Sequence, residues 1–213
     1  MMKEFVISAN ACLSRDVQGF YHTEFYGRGH PWCDCPDNPT FLYTLKNDPH
    51  HNPSDWWLIT AANQLGNILL VDFAQILERL DNPRLTVCVV PRAKAETEYR
   101  AEQLYFKEVT KRVVAMMPKL SDGTDLIKRH TNTFTTHLRK PVAGYINDGD
   151  KPYPGIALDT CHFSPEIEGR DILLVDDIYT KTVNIDEDMI QALYQHGARS
   201  VTFYAVGNTQ RNI

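Results

Sequence analysis

Two adjacent carboxylates, Asp176 and Asp177, follow the unbroken aliphatic run Ile172 to Val175 and precede the segment Thr180-Lys181-Thr182-Val183-Asn184. A vicinal acid pair can grip two neighbouring hydroxyls of a sugar. It can equally hold a hydrated magnesium ion, which takes oxygen ligands and keeps several of its waters. Thr180, Thr182 and Asn184 add side-chain donors beside the acids. From Ile185 the apolar residues Ile185, Met189, Ile190, Leu193 and Tyr194 recur at helical spacing, and Gly197 stands where a helix stop belongs. The turn before Ile185 therefore lies at a helix N-terminus, where unpaired N–H groups and the helix dipole favour a phosphate. Acids for hydroxyls and a turn for phosphate together suit a sugar phosphate.

These residues must be positioned by a sheet. Ile172 to Val175 has the all-apolar character of a strand buried on both faces, so the acid pair falls where that strand leaves the sheet. Ligands of open α/β sheets bind at that edge. Val201 to Val206 forms a second strand after the helix, and a strand-helix-strand connection of this kind makes the two strands parallel. Upstream, Leu65, Leu69, Phe73, Ile76, Leu77 and Leu80 line one face of a helix that Asp81-Asn82-Pro83 stops. Leu85 to Val90 reads as a strand ended by Pro91, and Glu96 to Met117 mostly as a second helix closed by Pro118. The expected fold is α/β over residues 60–213, a parallel sheet flanked by helices. Prolines and Asp148-Gly149 break up Ser121 to Gly169 into a long loop with a hairpin, and long loops in compact domains are often binding loops. Residues 1–59 are dense in aromatics, His, Pro and Cys, with turn signals at Gly27 to Gly29 and Asn47 to Pro53. They read as an irregular N-terminal cap.

The strand, the acid pair, two intervening residues and the Thr-rich turn resemble the signature of the type I phosphoribosyltransferases. That signature is an apolar strand, two acids, two variable residues and Thr-Thr-Gly-x-Thr. Asp176, Asp177 and Thr180 match it, whereas Lys181, Thr182 and Asn184 replace the second Thr, the Gly and the last Thr. A Cβ at Thr182 disfavours positive φ, which implies a reshaped turn or an impaired phosphate site. The resemblance, covering Ala61 to Thr209, implies a phosphoribosyltransferase-like fold. It makes Asp176 and Asp177 the catalytic acids that hold the ribose hydroxyls of phosphoribosyl pyrophosphate and a magnesium ion. Residues Thr180 to Asn184, Val183 included, become the cradle of the 5′-phosphate. Arg129-His130-Thr131 is similar to an Arg-x-Thr segment of the competence-associated branch, in a mobile loop that closes over substrate; the Gln usual after it is here Phe134. Arg92, with Lys94 and Arg100, follows a strand end where the family keeps a pyrophosphate loop, although no Gly occurs between Pro91 and Lys119. A solvated helix start is the other reading of those cations.

The implied reaction is transfer of phosphoribose from phosphoribosyl pyrophosphate to a nitrogen nucleophile. Such a step needs orientation and charge neutralisation rather than a covalent nucleophile. The N-terminal segment would be the hood that selects the acceptor. The alternative is a catalytically inactive nucleotide-binding regulatory or effector subunit with a protein partner, because similar divergent members occur in bacterial stress and phage-defence operons.

Composition narrows the rest. A formal net charge of −5, from 22 basic and 27 acidic residues, supplies no global positive field for nucleic acid. No Gly-x-x-x-x-Gly-Lys-Ser/Thr accompanies the acids, which argues against a nucleotide triphosphatase. No run of about 18 apolar residues suggests a membrane span, and the N-terminus lacks a long apolar core. With five cysteines, an odd number, the expectation is reduced thiols and a cytoplasmic protein. Cys12, His22, His30, Cys33 and Cys35 cluster in the cap and could ligate zinc. The single residue between Cys33 and Cys35 is shorter than usual for such sites, and buried thiols with ordinary histidines are the other reading. His50-His51 and Trp56-Trp57 are expected to serve surface contact and cap packing.

Overall fold

The strand that carries the acid pair lies inside a mostly parallel six-stranded sheet flanked by helices, as the α/β reading expected. The computed structural model describes residues 2–46, 52–81, 84–138 and 145–210. The chain opens with strands β1 (Lys3–Ile7) and β2 (Val17–Phe25), then helices α1 (Phe41–Lys46) and α2 (Asp55–Leu80). Strand β3 (Leu85–Val89), helix α3 (Tyr105–Ala115) and strands β4 (Leu120–Asp122) and β5 (Ile127–Arg129) follow. Helix α4 (Ile156–Thr160), strands β6 (Cys161–Phe163) and β7 (Asp171–Tyr179), helix α5 (Ile185–Gln195) and strand β8 (Ser200–Thr209) complete the order. The sheet runs β1-β2-β8-β7-β3-β4, with β1 antiparallel to β2 and all other neighbours parallel. Strands β5 and β6 form a separate antiparallel pair.

Side-chain alternation along β7 divides the interior into two cores. Leu173 and Val175 pack with Leu65, Phe73, Val109 and Val113 from α2 and α3, while Ile172 and Leu174 pack with Met189, Ile190 and Leu193 from α5. Helix α1 belongs to the first layer through Leu42 and Leu45. The acid pair continues this alternation and so meets different layers. The ladder with β8 runs from Asp171 to Asp176 and resumes at Ile178, after which the sides exchange: Ile178 joins the first core and Tyr179 the second.

Three expectations shift. Residues 1–59 are not irregular throughout, since β2 pairs in parallel with β8 from Gly19 to Phe25 and extends the sheet; the turn-rich part is 26–40. The helix expected from Glu96 begins at Tyr105, after 3-10 turns at Glu96–Glu98 and Ala101–Leu104. Tyr99 breaks the run by accepting the Lys94 N–H on its hydroxyl and stacking under the Arg92 guanidinium at 4.5 Å. The segment expected as a long loop with a hairpin holds the antiparallel β5-β6 pair and, unforeseen, the helix α4. His50, His51, the stop at Asn82-Pro83, and Pro141 lie outside the described residues. Trp56 and Trp57 stand edge to face at the exposed start of α2.

Candidate functional site

On the first face of the sheet, Asp177 meets Lys46, the last residue of α1. The Lys46 ammonium lies 2.8 Å from Oδ2 and 3.2 Å from Oδ1 of Asp177, and each side chain is 20% exposed. Burial works against the lysine cation, but the carboxylates of Asp177 and then Asp176 outweigh it and raise its pKa above the ordinary value. Arg92 opposes them, which places a second cation within electrostatic range. Arg92 follows β3 and donates to the Gln103 carbonyl at 2.8 Å; the Val90 N–H to Val175 carbonyl bond of 2.9 Å holds that segment beside β7.

On the second face, Asp176 meets Asp186 in the first turn of α5. Asp176 also accepts the N–H of Asp177 at 2.8 Å. Burial, then repulsion from Asp177, pushes its pKa up to about 7. Asp186 is buried, sits within hydrogen-bonding reach of Asp176, and is pushed well above the usual range by burial and then by Asp176. Two carboxyls in such contact attract only when they share a proton. The next residue, Glu187, is 1% exposed; it accepts the Tyr179 hydroxyl at 2.8 Å on Oε1 and is raised by burial. Oδ1 of Asp186 and Oε2 of Glu187 are buried without a hydrogen-bond partner. Asp188 accepts the N–H groups of Gly155 at 2.5 Å and Ala157 at 2.7 Å, tying α4 to α5. The N-terminus of α5 thus carries three buried acids.

The turn between β7 and α5 has been rebuilt around Asn184. Asn184 has φ 58° and ψ 21° and is the left-handed residue at the helix start, whereas Thr182 is not among the residues of positive φ. The left-handed position of this turn thus falls on Asn184, a residue type that tolerates it. Asn184 Oδ1 accepts from Asn10 Nδ2 at 3.3 Å. Thr180 pairs with Thr209 through their hydroxyls at 2.8 Å and accepts the Val183 N–H on its carbonyl at 2.9 Å. Lys181 and Thr182 are exposed beside this closed turn.

Asp176, Asp177, Thr180, Lys181, Thr182, Val183, Asn184 and Arg92 therefore gather at one edge of the sheet. Arg129 lies one layer behind. It is buried in β5, donating from Nε to the Arg92 carbonyl at 2.6 Å and from Nη1 to the Thr160 hydroxyl at 2.6 Å, and burial lowers its pKa. It supports the Arg92 backbone instead of reaching from a loop. Lys94 is likewise buried, its ammonium donating to the carbonyls of Thr133 at 3.0 Å and Asp148 at 2.6 Å. Lys46, Asp186 and Glu187 escaped the sequence reading. Lys46 carries no local signal, being 131 positions from Asp177. Acids in a helix first turn are ordinary, so Asp186 and Glu187 could have been found only by asking why the apolar stripe of α5 packs them inward.

The metal expectations meet this geometry differently. Two adjacent carboxylates are the right donors for hydrated magnesium, and in this arrangement the Lys46 ammonium contacts both oxygens of Asp177. Two of the proposed zinc residues stand apart from the rest: Cys12 lines a cleft of about 390 Å³ with Asp188, and His22 Nδ1 pairs with Asp72 at 2.9 Å, while His30, Cys33 and Cys35 share one hydrogen-bonded turn. Among the described residues no three His, Cys, Asp or Glu side chains could hold a metal, and no helix is long and apolar enough to cross a membrane. Compared with known families and characterised proteins, the chain matches no family model and no curated sequence.

Proposed function

We propose that the chain binds a ribose 5-phosphate compound, phosphoribosyl pyrophosphate or a nucleotide, at the carboxyl edge of β7. One observation carries this: an acid pair at the end of an inner parallel strand, followed directly by a turn at a helix N-terminus. Asp176 and Asp177 would take the ribose hydroxyls, the turn Thr180 to Asn184 the 5′-phosphate, and Arg92 and Lys46 the remaining negative charge. With phosphoribosyl pyrophosphate the bond from the anomeric carbon to the pyrophosphate oxygen breaks, pyrophosphate leaves with the electron pair, and a nitrogen nucleophile forms the new bond. Magnesium would supply further charge neutralisation to the leaving pyrophosphate, and Asp176 and Asp177 are the residues that could hold it. The five free thiols support a reducing, cytoplasmic setting.

A second reading, binding without turnover in a regulatory or effector subunit with a protein partner, is favoured by the Lys46–Asp177 pair and the turn without glycine. Thermal unfolding separates binding from its absence. Ligand at about a hundred times its dissociation constant stabilises a folded protein by about 2.7 kcal/mol, a shift of about 5–11 °C at this size. Phosphoribosyl pyrophosphate or nucleoside monophosphates should produce it in the parent and not in the Asp176→Asn, Asp177→Asn double variant. Equal shifts in both proteins would remove the site. Pyrophosphate release over a panel of bases and amines then distinguishes transferase from binding subunit.

A further inference from the structure

We infer that Lys46 is the resident cation of this site, doing for Asp177 and the ligand what a divalent ion would do, so that ribose-phosphate binding here is independent of magnesium. The inference rests on the ribose-phosphate reading and specifies how that site is charged.

Lys46 already supplies positive charge to Asp177. The ammonium engages both carboxylate oxygens, at 2.8 and 3.2 Å, so the charge neutralisation that a magnesium ion would provide there is in place without one. The lysine sits on a helix anchored in the core. Its neighbour Leu45 and, one turn back, Leu42 are fully packed into the core under α2, so the ammonium is presented from a fixed base. Its hydrogen-bonding capacity suits a bridging role, since an ammonium has three N–H groups and Asp177 takes two. The side chain remains part exposed, which leaves the third to a ligand oxygen. Arg92 stands within electrostatic range as a second fixed cation.

The experiment uses ribose 5-phosphate and a purine nucleoside monophosphate as probes, because neither brings a pyrophosphate that chelates magnesium. Calorimetric titrations would be run in excess EDTA and in magnesium on the parent, Lys46→Met and Lys46→Arg, each checked for native circular dichroism. The parent should bind with dissociation constants within about twofold in the two buffers. Lys46→Met should weaken at least about tenfold in EDTA and recover most of that loss in magnesium, as expected when one member of a desolvated charge pair is removed. Lys46→Arg, which keeps the charge, should retain binding in EDTA and show that the loss in the methionine variant is not misfolding. Binding by the parent only in magnesium, or equal binding by Lys46→Met and parent in EDTA, would overturn the inference while leaving the ribose-phosphate site standing. Absence of binding by every protein in every buffer would remove the site and the inference with it.

Discussion

The Asp186 carboxyl, buried in the first turn of α5, lies within hydrogen-bonding reach of the Asp176 carboxyl at the edge of β7. Burial raises Asp176 from 3.8 to about 7 and Asp186 further. A carboxyl raised in the folded state binds protons more tightly there than in the unfolded chain, so stability is greatest at low pH within this window. It is lost as pH rises from about 4 through 7. Glu187 and Asp188, also raised by burial, act in the same direction. Asp125, lowered to about 2 by hydrogen bonds from Lys107 and Lys111, acts oppositely but only below the window. Urea unfolding should therefore give a free energy falling by more than about 1 kcal/mol between pH 5 and 8. Asp186→Asn, which keeps a hydrogen bond and discards the second acid, should flatten that slope and be the more stable protein at pH 8. An unchanged slope would mean that the two carboxyls do not share a proton.

A second buried carboxylate serves the fold. Asp72 of α2 accepts the Tyr204 hydroxyl on Oδ2 at 2.7 Å, and His22 Nδ1 lies 2.9 Å from the same oxygen. One atom thus joins α2 to β8 and β2. Tyr204→Phe should cost about 1–1.5 kcal/mol, and Asp72→Ala about 1–3 kcal/mol because it strands the buried hydroxyl. In a double-mutant cycle the two should couple by at least about 0.5 kcal/mol; additivity would show that the bond contributes nothing.

Much of the frame was legible because it depends on local pattern. The strand at Ile172 to Val175, the helix after it and the partner strand at Val201 to Val206 are written in apolar runs and helical spacing that no tertiary contact overrides. Strands β1 and β2 were not, since Val17–Phe25 interleaves half-buried polar residues with apolar ones and breaks strict alternation. Within the site, the acid pair and turn could be read, but their electrostatics could not. Lys46 reaches Asp177 only because α1 folds under α2, and Asp186 becomes a buried acid only because α5 packs its first turn against Asp176. Arg129 shows the reverse limit. Its segment resembles a substrate loop, yet the guanidinium is consumed by a carbonyl and a hydroxyl of the fold.

That placement makes Arg129 a test of loop against scaffold. Arg129→Ala should lower stability by about 1–3 kcal/mol, chiefly through the stranded Arg92 carbonyl, because the Thr160 hydroxyl keeps its bond to the Ile156 carbonyl. Hydrogen exchange in the free protein should show slow amides at Ile127 to Arg129, where β5 pairs with β6. The following segment is also pinned, by Lys94 on Thr133 and Asp148 and by Gly149 (φ 89°), where an added Cβ would lie 2.3 Å from the Asn132 carbonyl oxygen. Fast exchange across Ile127 to Arg129 that a ribose-phosphate ligand suppresses would instead identify a closing flap.

The turn before α5 offers the sharpest contrast, because the family signature and the structure put the demanding backbone conformation at different residues. If Thr182 occupied a position that needs glycine, Thr182→Gly would relieve strain and improve phosphate binding. With the left-handed residue at Asn184 instead, glycine at 182 only frees the unfolded chain and should cost about 0.4–1 kcal/mol without tightening nucleoside monophosphate binding. Asn184 should respond in the opposite sense. Asn184→Gly meets the positive φ without strain and should change stability by less than about 0.5 kcal/mol, whereas Asn184→Ala should lose about 1–2 kcal/mol from the left-handed conformation. The lost hydrogen bond to Asn10 is common to both variants, so the difference between them isolates the backbone. Chemical denaturation of the three variants, paired with titration by a nucleoside monophosphate, reads both effects. A Thr182→Gly protein that is more stable than the parent and binds at least about tenfold tighter would place the demanding backbone conformation at position 182 and not at Asn184.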